Sequence, residues 1–240
     1  MTSEEPLHPH GSDEATRCVL FDFDGPLVHL FAGYSTARVA REVRRELRRR
    51  WGIRYQPLRR RGNCHGVITA FPKLTRDREH ERQAIEEHVL AMLTAAERRA
   101  VSHAAPTAGA EELVIALHAG GWKLAITSNN ATEAIHDYLD QARSTRIRPL
   151  FAGAIVGRGR IADMKPEPVC VHDAMYLLGM KPEGRAVLLG DSVSDYQAAV
   201  AAKIDFVGYS RRRRKRRQLR RAGASPVFGN LSDVRAALDS

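Results

Sequence analysis

The chain is 240 residues long, 43% hydrophobic and 28% charged, the profile of a globular protein able to bury a sizeable core in one or two domains. No window is apolar enough for a membrane span, Met1–Thr16 lacks the apolar core of a signal peptide, and the scattered Cys18, Cys64 and Cys170 form no CxxC pair or disulfide framework, so a cytoplasmic setting is expected. The net charge of +10 does not by itself argue for nucleic-acid binding, because nine basic residues and no acid fall in Arg211–Arg221 and the remainder is within one charge of neutral.

In chain order, residues 1–16 read as a disordered arm. Cys18–Phe21 is an apolar run suited to a buried strand, and it ends in Asp22-Phe-Asp24 before a Gly25-Pro26 turn. Positions i and i+2 share a strand face, so Asp22 and Asp24 can converge on one site. Two anions held close attract a divalent cation or a proton; a solvated strand end with an ordinary Asp-Gly turn is the other reading of this stretch. Val39, Val43 and Leu47 recur every four residues and predict an amphipathic helix over Thr36–Arg50. A loop, Arg59–Ala70, follows, with Arg60, Arg61, Asn63, Cys64 and His65 as candidates for substrate contact or for an ordinary solvated turn. Cys64-His65 has no matching ligands nearby, so no zinc site is expected, and His8-Pro9-His10 reads as tail. Ile85, Val89, Met92 and Leu93 predict a helix over Asp77–Val101. With no strand signal over residues 30–104, residues 28–105 read as an all-helical insert.

From Pro106 onward helices and strands alternate. Helices are expected at Glu111–Ala119, Ala131–Leu139, Pro168–Leu178, Ser194–Ala202 and Leu231–Leu238. Strands are expected at Trp122–Thr127, Ala154–Val156, Ala186–Gly190 and Asp205–Gly208. Apolar strands alternating with helices indicate an α/β fold with a doubly wound parallel sheet, assembled from residues 17–27 and 106–240. The run Arg211–Arg221 is expected to form a loop and a helix with Leu219 inward and the arginines solvated. It lacks interleaved aromatic residues and any recognised motif, so nucleic acid is not an expected partner.

Ligand sites in such sheets form at the carboxyl ends of strands. Three of these ends carry more polar groups than a turn needs: Asp22/Asp24, Thr127-Ser128-Asn129-Asn130 and Gly190-Asp191-Ser-Val-Ser-Asp195. Lys165-Pro-Glu-Pro168 precedes a helix between the last two. Each has a plain alternative, since Ser128, Asn129, Asp191 and Ser194 are ordinary helix caps and Lys165 an ordinary surface lysine.

In that order, these four motifs resemble those of the haloacid dehalogenase superfamily, and Phe151-Ala-Gly-Ala-Ile-Val-Gly157 is similar to family sequence as well. The resemblance covers most of the chain and identifies the insert at 28–105 with a helical cap of the phosphoglycolate phosphatase and β-phosphoglucomutase type. It implies that Asp22 attacks the phosphorus of a phosphomonoester and that Asp24 serves as general acid and base. It further implies that Asp22, the backbone carbonyl of Asp24 and Asp191 hold Mg²⁺. Ser128, Asn129 and Lys165 would bind the phosphoryl group, with Asp195 behind them. Family members that cleave carbon–halogen bonds lack an acid at the place of Asp24, so a phosphatase acting on a small phosphorylated metabolite is expected, with a phosphosugar mutase as the alternative. A polyanion-binding protein using Arg211–Arg221 is the alternative from another class. Pro26 departs from the family pattern, which has Thr or Val there. The sequence carries no signal for an oligomeric state.

Overall fold

The central strand of a computed structural model of the chain, which describes residues 17–54, 64–142, 144–180 and 184–239, is β1 (Arg17–Phe21). It is followed by β2 (Val28–His29), α1 (Thr36–Trp51), α2 (Cys64–Leu74), α3 (Glu79–Val101) and β3 (Ala105–Pro106). Next come α4 (Ala110–Ala119), β4 (Lys123–Thr127), α5 (Thr132–Leu139) and β5 (Ile155–Val156). The chain closes with α6 (Val169–Leu177), β6 (Arg185–Gly190), α7 (Val193–Ala202), β7 (Asp205–Tyr209), α8 (Arg213–Arg221), β8 (Val227–Phe228) and α9 (Leu231–Asp239). The arm expected at 1–16 lies outside the described residues.

Six strands form one sheet in the order β5-β4-β1-β6-β7-β8, every pairing parallel. Strand alternation divides the core in two. Val19, Phe21, Leu124, Ile126, Val187 and Leu189 point to one face, where α4, α5 and α9 supply Val114, Ile135 and Val234. Cys18, Leu20, Ala125, Ala186 and Leu188 point to the other, against Val171 of α6, Ala198 of α7 and Leu219 of α8. Burial on both faces explains why the central strands read as unbroken apolar runs. The connections after β1 and β4 run to one side of β1 and those after β6 to the other. The carboxyl ends of β1, β4 and β6 therefore meet where the strand order reverses, with Phe21 in register with both Ile126 and Leu189.

Between β2 and β3 the described chain is helical, and it buries a separate apolar cluster. Val39, Val43 and Leu47 of α1 meet Ile85, Val89 and Leu93 of α3 and Val67 and Phe71 of α2. Ser35 caps α1 by accepting the Arg38 N–H at 3.3 Å, and Gly52 ends it in the left-handed conformation at φ 65°. β2 and β3 pair antiparallel where the chain leaves and re-enters the sheet layer.

The loop expected over Arg59–Ala70 is corrected from residue 64 onward, because Cys64–Leu74 is helical. Gly66, the β-branched Val67, Ile68 and Thr69, and Pro72 make it a poor helix by propensity. Burial of Val67 and Phe71, one turn apart, supplies what propensity lacks. β8, of two residues, was not expected; it extends the sheet beside β7.

Candidate active site

β1 delivers Asp22 to the sheet edge, where its N–H donates to the Leu189 carbonyl at 2.9 Å and continues the strand pairing by one residue. The side chain is buried and receives a hydrogen bond from Lys165 Nζ at 2.9 Å. The same ammonium lies 2.6 Å from Asp195 Oδ1 and donates to the Thr127 carbonyl at 3.1 Å. Its three protons are thus matched to two carboxylates and a strand end. Asn129, expected at the phosphate, has its amide committed to the Lys165 backbone: Oδ1 accepts from Lys165 N at 2.9 Å and Nδ2 donates to Lys165 O at 3.0 Å. It thereby ties the loop after β4 to the lysine that faces Asp22.

Asp195 is fixed at the start of α7 by a capping box. Its Oδ2 accepts from Ser192 N at 3.0 Å and Ser192 Oγ at 2.6 Å, while Ser192 Oγ accepts from Asp195 N at 3.2 Å. Gly190 makes this approach possible, since a Cβ there would stand 2.5 Å from Asp195 Cβ. Ser128 is buried; its hydroxyl donates to Asn130 Oδ1 and accepts from Asn130 N, both at 3.1 Å. Asp24 is half-buried, and its Oδ1 accepts the Leu30 N–H at 3.0 Å. Pro26 leaves the intervening turn intact, because Gly25 N donates to Val28 O at 2.8 Å and Val28 N to Phe23 O at 3.1 Å without it. A cavity of about 480 Å³ touches Asp22, Asp24, Ser128, Lys165, Asp191 and Asp195, so the residues expected from all four motifs line one space.

Other participants carry no motif. Glu97 of α3 is buried and accepts from Asn130 Nδ2 at 3.2 Å, Ala131 N at 2.9 Å and Arg158 Nη1 at 2.7 Å. Arg158 Nη1 also donates to the Asn129 carbonyl at 3.1 Å. Lys215, inside the basic run expected to be solvated, is ion-paired with Asp191. Neither feature has a local signal in the sequence. Arg60, Arg61 and Asn63 lie outside the described residues, and Cys64 and His65 open α2.

Among the described residues, Asp22, Asp191 and Asp195 offer carboxylate oxygens within 4.8 Å of one another. Asp195, expected behind the site, thus stands in this set, whereas the carboxylate of Asp24 does not. Burial, followed by repulsion from Asp195, holds the Asp22 carboxyl above its ordinary range despite Lys165. Burial likewise raises Asp191 to about 6, with Lys215 opposing. Asp195 is penalised by burial too, yet Lys165 and Ser192 bring it below its ordinary value. Burial would depress the Lys165 ammonium, but Asp195 and Asp22 overcome it and hold the proton more tightly than usual. Burial keeps Asp24 above its ordinary value. Three buried carboxylates, two of them pushed toward protonation, form a hard oxygen donor set that fits a small divalent cation.

A family model described as "Hydrolase: haloacid dehalogenase-like hydrolase" matches residues 16–203. The phosphoglycolate phosphatase of Colwellia psychrerythraea is 38% identical over 98 residues, 41% of this chain and 41% of that protein, so the match spans less than half of either. The phosphoglycolate phosphatase of Pseudomonas putida is 28% identical over 200 residues, covering 80% of this chain and 68% of that one. A HAD family hydrolase from Deinococcus radiodurans, solved with bound phosphate and sodium, superposes with a TM-score of 0.57 at 26% identity, covering 94% of this chain and 96% of that one.

Proposed function

This chain belongs to the haloacid dehalogenase-like hydrolase family, and on that premise we propose that it is a Mg²⁺-dependent phosphatase of small phosphomonoesters working through an aspartyl-phosphate on Asp22. The observation that carries the reading is the buried Lys165 ammonium, 2.9 Å from Asp22 and 2.6 Å from Asp195 where β1 and β6 end. An oxygen of Asp22 forms the new bond to phosphorus as the ester P–O bond breaks. Asp24, kept above its ordinary pKa by burial, gives its proton to the leaving alkoxide. Water then attacks the acyl phosphate, its proton passes to Asp24, and the Asp22–phosphorus bond breaks to restore the carboxylate. Lys165 and Ser128 take the charge of the phosphoryl oxygens. Asp22, Asp191 and the Asp24 carbonyl would hold Mg²⁺, with Asp195 as the third carboxylate of the donor set; the ion would screen the nucleophile from the anionic substrate. Residues 28–105 serve as a cap, a role supported by Phe31, Thr36, Ile68 and Glu97, which line the same cavity as Asp22 and Lys165. Phosphoglycolate, which the relatives' names specify, is the first substrate to try.

A cytoplasmic setting belongs to the same reading: Cys18 and Cys170 are free and buried, and no described helix is long and apolar enough to cross a membrane. Acid quenching during turnover, followed by peptide mass analysis, tests the mechanism. A phosphoryl increment on the peptide containing Asp22 is expected with Mg²⁺ and substrate. Its appearance on another residue, or its absence during turnover trapped before steady state, would refute Asp22 as nucleophile.

A further inference from the structure

The fold sorts the nine basic residues of 211–221 into distinct groups. Arg216 Nη1 donates to the Ser210 and Arg211 carbonyls at 2.8 and 2.9 Å, and Arg220 Nη2 to the Val227 carbonyl at 2.7 Å. Lys215 pairs with Asp191. Arg213, Arg214, Arg217 and Arg221 are exposed. Arg211 and Arg212, also exposed, line a second cavity of about 500 Å³ with Lys215, His29, Tyr34 and Tyr209. Neither guanidinium has a carboxylate partner among the described residues.

This second cavity adjoins the first, because Asp24, Phe31, Thr36, Asp191 and Lys215 line both. Asp22 lines the first lobe, and the two arginines line the second. The local energetics point the same way. α8 starts at Arg213 behind Arg212, whose side chain makes no capping bond, and its first turn holds no acid. Cations at a helix N-terminus oppose the macrodipole, and the uncapped N–H groups there lack acceptors from the side chain. An anion in the lobe would relieve both, and guanidinium groups are suited to bind carboxylate or phosphate oxygens in pairs.

We propose that Arg211 and Arg212, with the open first turn of α8, bind a second anionic group of the substrate, so that the preferred phosphomonoesters carry a carboxylate or a further phosphate at the end remote from Asp22. The proposal rests on the phosphatase reading for the orientation of the substrate, but the anion site can be measured without turnover. Calorimetry on the full chain in saturating Mg²⁺ compares phosphonoacetate with phosphonoacetamide, and methylenediphosphonate with methylphosphonate; the first pair tests a carboxylate, the second a phosphate. In at least one pair the anionic-tailed ligand is expected to bind about tenfold tighter, the scale of one charge-assisted contact. The double variant Arg211→Gln/Arg212→Gln should bring that ratio to within about twofold of unity, whereas Arg221→Gln, at the far end of α8, should preserve it.

A ratio near unity in both pairs for the wild type would overturn the proposal. So would a ratio that the double variant keeps, or that Arg221→Gln loses equally as a general charge effect. The ratio of kcat/KM for matched phosphomonoesters should follow the binding ratio, mainly through KM. Intact binding discrimination with no phosphate release from any ester would uphold the anion site and count against the hydrolase reading alone.

Discussion

Lys165 is almost fully buried, as are the two carboxylates it serves. Burying an ion is costly unless each charge finds a partner. The three charges leave Asp22 and Asp195 in different environments: Asp195 also receives two bonds from Ser192, while Asp22 faces the cavity with Lys165 as its main compensation. Asp191, on the far side of the set, has Lys215. Its ordinary pKa is about 3.9, and in the fold burial raises it to about 6. The group then contributes stability that is fully present below about pH 4 and is lost as pH rises through 6, at most about 3 kcal/mol for a shift of that size. In metal-free protein, unfolding free energies of the wild type relative to Asp191→Asn should decline between pH 4.5 and 7. A difference that stays flat or rises over that window would contradict the assigned charge state. His29, whose pKa burial lowers, contributes with the opposite sign and is itself raised by the Asp191 charge, so Asp191→Asn is compared over the whole pH window rather than at one pH. In the sequence, Asp22, Asp24, Lys165, Asp191 and Asp195 were legible because each sits in a motif at a strand or helix end. Lys215, Glu97 and Arg158 were not, because their partners lie 24 to 64 residues away and no spacing announces them.

At the scale of elements, Glu97 is where α3 meets the sheet. Its carboxylate holds the N–H that opens α5, the Asn130 amide and Arg158, whose guanidinium also reaches Thr94 Oγ1 at 2.9 Å. Further contacts join α3 to the sheet layer: Arg98 pairs with Asp137 at 2.6 Å, and Glu86 accepts the Ile161 N–H at 2.7 Å. Both partners of the Glu97–Arg158 pair are buried, and removing one leaves an uncompensated charge, at a cost of about 3–5 kcal/mol. Urea unfolding of Glu97→Gln should show a loss of that order. The double variant Glu97→Gln/Arg158→Met should lose less than the two single losses combined. Additive losses would show that the pair does not couple the helix to the strand ends. The long helices α1 and α3 were readable from their apolar stripes. α2 was not, because its glycine, β-branched residues and proline argue against a helix until Val67 and Phe71 find their neighbours.

For the molecule as a whole, the parallel sheet follows from apolar runs buried on both faces and from helices between them, which is why its strands were found within a residue or so of their ends. β8 was missed: it is two residues long and pairs only with Gly208 and Tyr209. The reversal of strand order around β1 brings Asp22, the loop after β4 and Asp191 together, so topology converts four distant motifs into one cavity. The excess positive charge, read from the sequence as a solvated face, proves divided between two adjoining cavities and solvent. Lys215 lines both, Arg211 and Arg212 line the second, and the rest of the run remains on the outside or on backbone carbonyls.

Hydrolysis of phosphomonoesters with Asp22 as nucleophile is the activity proposed for this cavity. Its most direct test is phosphate release from a panel of phosphomonoesters, phosphoglycolate among them, with Mg²⁺ and without any added bisphosphate, for the wild type beside Asp22→Asn. Release by the wild type is expected to stop on chelation of the metal and to fall by a factor on the order of 10³ or more in Asp22→Asn, since removal of a covalent nucleophile forfeits the covalent pathway. Equal release by Asp22→Asn, or none by the wild type on any ester, would rule out hydrolysis through Asp22.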